Sequence, residues 1–391
     1  MYRKTFVEVN LDNISNNVKN IIKKYPDYKY YIGMVKSNAY GHGYYIVNTL
    51  IEAGINYLAV SSLDEAMKIR EYNKDIPVLI TEIIDDDLIS IAIKNNITLT
   101  IDNLEYLKII GNKKCTIHLK IDTIMNRIGI KTKSEFNEIY KYIEENKNIY
   151  LEGIYTHFAT PGVNDIYYDL QIKNFKNITS DIDLSKIPIV HLSSSFALLN
   201  HPKIDFANAV RIGTILYGYD ISLKDYSNDF KSKLKKARDK FLTSKYDISK
   251  VIRGTSIDLK PAFKIKTNVM EIKDVKKGEL LGYGTNIMEE DARVAILPIG
   301  YESGIGTNNV GRRVLINNKH YDVIGPTSMC MMFVRVDNSV KVKDEVTILG
   351  DSITLGQISR LNNSHIQLTL VTIGANLPRV YIKNQKQEKE L

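Results

Sequence analysis

Cysteine is nearly missing: Cys115 and Cys330 are the two in the chain, and neither belongs to a CxxC pair or a Cys/His ligand spacing. That excludes a disulfide framework and a zinc site, and it suits the reducing cytosol. Long apolar runs are missing too. No stretch approaches the ~20 residues that a membrane span requires. The N-terminal MYRKTFVEVNLDNISNNV is interrupted by Glu8 and Asn10, unlike the core of a signal peptide. A cytoplasmic protein with no membrane partner is expected. Segregated charge is also lacking: the net charge is +8, but the lysines are scattered among Asn and Ile residues. This reads as a solvated surface, with no nucleic-acid partner, that would still attract anionic ligands.

What is present is length and repeated apolar runs. A chain of 391 residues, 44% hydrophobic, exceeds the ~250 to 300 residues at which single cores stop growing, so two domains are expected. Short runs recur at Tyr30 to Val35, Tyr57 to Val60, Pro77 to Thr81, Ile97 to Ile101, Thr116 to Ile121, Leu151 to Phe158, Ile187 to Leu192 and Ala209 to Tyr217. Continuous rather than alternating apolar character marks strands buried on both faces, as in parallel sheets. Helical patterns lie between them, Leu63 to Tyr72 behind the capping-box signal Ser62-x-x-Glu65 and Lys133 to Asn146 behind Thr132-x-x-Glu135. These strand-then-helix units fit a closed (β/α)8 TIM-type barrel, with an open doubly wound sheet the alternative that periodicity leaves open.

The pattern changes after Tyr219 to a lysine-rich, helix-prone stretch, Lys231 to Leu242, and a polar connection to Pro261. From Phe263 the runs shorten: Phe263 to Ile272, Arg293 to Leu297, Arg313 to Ile316, Tyr321 to Ile324, Met331 to Val336 and Val346 to Leu349. Turn residues such as Asn317-Asn318 punctuate them, predicting a mostly antiparallel β-domain that the alternating Thr5 to Val9 can join. The expected division is an N-terminal barrel over 11–235, a linker or insertion over 236–260, and a C-terminal β-domain over 261–391 that includes an N-terminal strand within 1–10.

Chemistry concentrates at Val35 to Gly43, VKSNAYGHG, directly after the first barrel strand, where barrel enzymes place their active sites. A lone lysine at a strand end is ordinarily a solvated cation. This segment, however, resembles the VKANAYGHG signature around the cofactor lysine of the alanine racemase family. The resemblance continues through His118 to Gly129, Glu152 to Thr160 (EGIYTHFAT), His191 to Ala197, Arg211-Ile212-Gly213 with Tyr217-Gly218, Gly282-Tyr283-Gly284, Pro298 to Tyr301 and Pro378-Arg379. Only Ile221 to Leu259 has no clear counterpart.

The resemblance implies pyridoxal 5'-phosphate as cofactor, a homodimer with shared active sites, and interconversion of L- and D-alanine, a precursor of peptidoglycan. It makes Lys36 the residue that carries the cofactor aldehyde and then serves as a free amine base. Tyr283 of the partner subunit becomes the second base on the opposite face. A tyrosine titrates near ~10, so it needs cationic neighbours to act at neutral pH. The family's pattern puts His157 and Arg211 beneath the ring, His157 linking Tyr283 to Arg211. Arg211 would bond the ring nitrogen; since a guanidinium keeps its proton, that nitrogen stays neutral, which favours racemisation over transamination or decarboxylation. Tyr40, Ser194, Ser195 and the backbone around Gly213 and Thr214 would hold the phosphate. Arg127 would hold the substrate carboxylate, with Met329 and Tyr301 beside it, and Lys120 stands where some members carry a carbamylated lysine. No metal is implied.

Several positions depart from the family. Its VGRVCMD segment reads Ile324 to Cys330, so an arginine becomes Pro326 and an aspartate becomes Cys330. The tyrosine before RVPR is Ala375, the asparagine of the ANS turn is Ser194, DTGM has become Asp122 to Met125 with Ile124 for the glycine, and Pro161-Gly162-Val163 replaces an acidic pair. These changes imply a wider substrate entrance, so serine or a broader set of amino acids is the alternative to alanine. A decarboxylase or aldolase with the same cofactor would want an acidic partner where Arg211 stands, and a non-catalytic cofactor-binding barrel would not need the β-domain that carries Tyr283.

Overall fold

The computed structural model describes residues 4–160, 166–220 and 257–391, together with 230, 233, 234, 237, 238 and 241. Pro161-Gly162-Val163, most of the Lys231 to Leu242 stretch and the connection after it as far as residue 256 lie outside the described residues. The chain divides into two compact units, Ser15–Lys36 with Val47–Leu259, and Met1–Ile14 with Ser37–Ile46 and Lys260–Leu391.

The first unit is a closed barrel of eight parallel strands: β2 (Tyr30–Met34), β3 (Tyr57–Val60), β4 (Val78–Ile80), β5 (Ile97–Ile101), β6 (Cys115–Lys120), β7 (Ile149–Tyr155), β8 (Ile189–Ser194) and β9 (Ala209–Ile212). Each falls inside or overlaps one of the continuous apolar runs. Every residue of β3 and β4 is buried, which is why those runs do not alternate; β5 is buried throughout as well, although Thr98 and Thr100 alternate with its apolar residues. Closure comes from β9 pairing back on β2, with Tyr30 opposite Ala209 and Ile32 opposite Arg211. Ile32, Tyr57, Ala59, Leu79, Ile189 and Ala209 fill one part of the interior.

The helix Lys133–Glu145 starts with the expected capping box, Thr132 and Glu135 each accepting the other's backbone N–H. At Leu63–Tyr72 half of the box forms. Ser62 accepts from the Glu65 N–H, but the Glu65 carboxylate takes the N–H and hydroxyl of Ser61, one residue earlier.

The second unit is built on a ten-stranded sheet. Its strands are β1 (Phe6–Asn10), β10 (Phe263–Asn268), β11 (Glu271–Val275), β12 (Ala292–Leu297), β13 (Arg313–Ile316), β14 (Lys319–Ile324), β15 (Met332–Val336), β16 (Glu345–Leu349), β17 (Arg379–Lys383) and β18 (Lys386–Glu390). They lie in the order β11-β12-β15-β14-β13-β16-β10-β1-β17-β18. The alternating N-terminal segment joins it as β1, antiparallel to β10 and parallel to β17. The hairpin β13–β14 turns on Asn317 and Asn318 at φ 49° and 62°, the left-handed pair that matches strand twist.

One correction concerns Phe263 to Ile272, where periodicity predicts a single strand. The structure breaks it after Asn268 because the chain changes neighbours: β10 pairs with β16, whereas β11 pairs with β12. The helices Leu355–Leu361 and Ile366–Thr372 and the pair β17–β18 were not anticipated.

Candidate active site

Lys36 follows Val35 at the C-terminal end of β2. The Val35 N–H bonds the Ala59 carbonyl and the Tyr217 hydroxyl bonds the Met34 carbonyl, which anchor the strand end. Immediately beyond, Ser37, Asn38, Ala39 and Tyr40 all adopt left-handed backbone, φ 53°, 53°, 53° and 52°. Such residues cost ~1 to 2 kcal/mol each and persist where surrounding contacts over-determine them. Here the contacts are Gly41 N–H to Ser37 O, Gly43 N–H to Asn38 O and the His42 ring against Ala39 and Tyr40 carbonyls. Burial holds the His42 imidazole down to a pKa of about 3, so it is neutral. Gly43 is required by packing: a Cβ would sit 2.0 Å from the Tyr381 hydroxyl. Arg379, from the Pro378-Arg379 element, clamps the same turn by donating Nε–H and Nη2–H to the Gly41 carbonyl, 3.2 and 3.1 Å.

Arg211 on β9 is buried in the barrel interior. Nη1 donates to His191 Nδ1 (2.8 Å) and the His191 carbonyl (2.9 Å). Nη2 donates to the Thr156 and Leu192 carbonyls, 2.8 and 2.9 Å, and to His157 Nδ1 at 3.1 Å. Both Nη groups are saturated, whereas Nε–H has no protein acceptor among the described residues. Burial and the neighbouring Arg127 lower this guanidinium to about 10, still fully cationic at neutral pH. His157 accepts at Nδ1, so its proton sits on Nε2. Burial, then Arg211, Arg127, Lys120 and Lys36, pull it down to about 3, which keeps it neutral.

Lys120, the last residue of β6, is 5% exposed. Its ammonium lies 5.6 Å from the centre of the Tyr155 ring and the Arg211 guanidinium 5.4 Å from it, so one aromatic ring serves two cations. Burial, then Arg127 and Arg211, bring Lys120 down to about 8. The following loop is organised by Asp122, whose Oδ1 accepts from the N–H of Ile124 and of Asn126 and so presents the exposed Arg127. Gly129 closes it at φ 134°, where a Cβ would lie 2.7 Å from the Asp122 nitrogen. Ser195, opening a short helix after β8, accepts from the Gly213 N–H at 2.8 Å, tying Ser194, Ser195, Gly213 and Thr214 into one cluster after the last two strands.

The remaining sequence-derived candidates lie in the second unit: Tyr40 on the left-handed turn, Tyr301, Met329 and Tyr283. Tyr301 and Met329 are brought together by backbone. The Tyr301 N–H bonds the Ser328 carbonyl, the Glu302 N–H bonds the Met329 carbonyl, and Gly300 is needed because a Cβ would come 2.1 Å from Ser328 O. Tyr283 sits between Gly282 (φ 69°) and Gly284 (φ 80°) on a loop closed by the Leu280–Ile287 bridge, and its side chain is exposed. Sequence reasoning overlooked His118, His191, Glu152 and Tyr155. All four lie in quoted motifs, and they signalled only as polar or aromatic residues on strands.

Two family models match the chain: alanine racemase, N-terminal domain, over residues 9–221, and alanine racemase, C-terminal domain, over 262–381. The alanine racemase of Halalkalibacterium halodurans is 32% identical, over 98% of this chain and 96% of that protein. Among solved structures, an alanine racemase of Clostridium difficile 630 superposes with a TM-score of 0.86 at 30% identity, covering 100% of this chain and 99% of the other. The chain belongs to the alanine racemase family. It is an amino-acid racemase, an isomerase. A histidine racemase of Leuconostoc mesenteroides subsp. sake shares the fold, with a TM-score of 0.83 at 24% identity.

The racemase's departures from the family pattern have structural consequences. Ile124, where the family pattern has glycine, keeps a glycine-like φ of 144°. Ala375 is exposed and follows Gly374, whose N–H bonds the Ser303 carbonyl. Cys330 is an exposed free thiol, and the described residues hold no cluster able to bind a metal ion.

Proposed function

We propose that this racemase interconverts L- and D-alanine with pyridoxal 5'-phosphate attached at Lys36, working as a homodimer in which Tyr283 of the partner subunit completes each site. The observation that carries the cofactor assignment is Arg211: its Nη groups are committed to protein acceptors, and the open Nε–H is a fixed, positively charged donor suited to a neutral ring nitrogen. Bound there, the cofactor supplies an electron-withdrawing ring that acidifies the substrate Cα–H.

The chain's own residues do the rest. Lys36 takes or returns the Cα proton at its Nζ, and Tyr283 does so at its hydroxyl. His157, neutral with its proton on Nε2, donates toward the second base while Arg211 anchors its Nδ1. Ser194, Ser195, Tyr40 and the backbone at Gly213 and Thr214 hold the phosphate. Arg127, on its Asp122-braced loop, orients the substrate carboxylate, with Met329 and Tyr301 lining the substrate side. The exposed Leu280, Tyr283 and Ile287 form an apolar loop surface suited to a partner subunit. Borohydride reduction of the purified enzyme should fix the cofactor to Lys36; a label mapped to any other lysine would overturn the assignment.

A second reading, broader specificity that includes serine, is favoured by Ala375. An exposed methyl group stands where the family pattern places a tyrosine, which leaves less side-chain bulk.

A further inference from the structure

Arg211 is buried with no direct carboxylate partner among the described residues, a costly state for a cation. Its hydrogen bonds lead to one at a distance. His191 Nδ1 accepts from Arg211, so the His191 proton is on Nε2, which lies 2.9 Å from His118 Nδ1. That nitrogen must accept, which puts the His118 proton on Nε2, 3.1 Å from Glu152 Oε2. The Tyr57 hydroxyl lies 2.7 Å from the same oxygen and 2.8 Å from Thr98 Oγ1.

Register shows the direction of travel. Arg211 is opposite Ser194, His191 is opposite Ala209, and His118 is opposite Gly153, itself opposite Ile189, so each step moves toward the N-terminal ends of the strands. Gly153 makes the route possible, since a Cβ there would lie 2.6 Å from the His118 ring. Tyr155 stacks on His191 at 4.6 Å and 11°, holding that ring in plane.

We propose that His191, His118 and Glu152 form a one-way hydrogen-bond relay, buried at both imidazoles, that fixes Arg211 as a donor, with the half-buried Glu152 as its compensating carboxylate and a positioning residue for racemisation. Both imidazoles are neutral, pulled down first by burial, which at His118 outweighs the upward pull of Glu152; Arg211 lowers both further. Burial raises the Glu152 carboxyl, but hydrogen bonds from His118 and Tyr57 outweigh it and hold the group below its ordinary value. A cation and an anion therefore face each other through two polarised rings, each strengthening the next bond. Losing the carboxylate would leave Arg211 a stronger proton donor toward whatever its Nε–H meets.

The functional half of this proposal rests on Arg211 facing the cofactor ring, and the test separates the two. In holoenzyme isotopically labelled at the histidine ring nitrogens, the His118 and His191 signals are expected to show Nε2 protonated and Nδ1 bare at neutral pH, in the wild type and in Glu152→Gln. The amide oxygen of Gln preserves the acceptor and removes only the charge. A ring protonated on Nδ1, or on both nitrogens, overturns the relay whatever the enzyme does.

With the tautomers in place, Glu152→Gln should lower kcat about 10-fold, the effect of losing one charge-assisted buried bond, with KM within about twofold. The transaminated fraction of product should rise. Unchanged kcat and product ratio would overturn the positioning role. Failure of the cofactor assignment appears separately, as a borohydride label away from Lys36 with the histidine spectra unaffected.

Discussion

Replacing Lys120 by methionine should make the protein more stable at neutral pH, although it removes a residue of the candidate site. The ammonium is 5% exposed, near Arg127, Arg211 and the Tyr155 ring, and titrates at about 8. In the unfolded chain it returns to the ordinary lysine value of ~10.4, so the unfolded state binds the proton more tightly. Below pH 8 the native state therefore carries the full penalty of keeping the charge, and the penalty fades as pH rises from 8 toward the unfolded value. At 1.36 kcal/mol per pKa unit, the cost is about 3 kcal/mol at pH 7 and about 1.3 kcal/mol by pH 9.5. Methionine has a similar length and no charge. Urea unfolding in carbonate-free buffer should place Lys120→Met above the wild type by about that amount at pH 7, the gap narrowing at pH 9.5. Bicarbonate should raise the wild type alone if the amine is carbamylated, because the resulting anion would pair with Arg127. Equal stabilities at both pH values, with or without bicarbonate, would refute the buried-cation account.

Three further outcomes are expected. Ile124→Gly should gain about 1 kcal/mol in urea unfolding, because a β-branched residue at φ 144° carries ~1 to 3 kcal/mol of strain and glycine gives back part of that in chain entropy; a loss of stability would show that the loop is not strained. Mixing Lys36→Ala and Tyr283→Ala homodimers under demonstrated subunit exchange should restore partial racemase activity, and no recovery would rule out shared sites. Ala375→Tyr should raise kcat/KM for alanine relative to serine by about 10-fold, the scale of size selection in a pocket; a wild type already selecting alanine a thousandfold, or an unchanged ratio in the variant, would end the broad-specificity reading.

Much of the barrel was legible from residues alone. A strand that is apolar at every position and buried on both faces, as β3 and β4 are, announces itself without reference to the rest of the chain. Capping at Thr132 and the Asn317-Asn318 turn are equally local, because the groups that satisfy each other lie within a few residues. The family motif marked Lys36 and Arg211 in the same way, by residues in fixed order.

What the tertiary structure alone decided involves partners far apart in the chain. The apolar run at Phe263 to Ile272 divides because β16 and β12, which arrive later, claim its two halves. The left-handed turn after Lys36 is intrinsically unfavourable, and its grip comes in part from Arg379 and Tyr381, more than three hundred residues downstream. His118, Glu152, His191 and Arg211 sit on four strands, and nothing in their spacing tells which imidazole nitrogen holds a proton. That follows only when barrel closure sets a donor-only guanidinium at one end of the chain of bonds and a carboxylate at the other, leaving each ring a single tautomer that satisfies both neighbours.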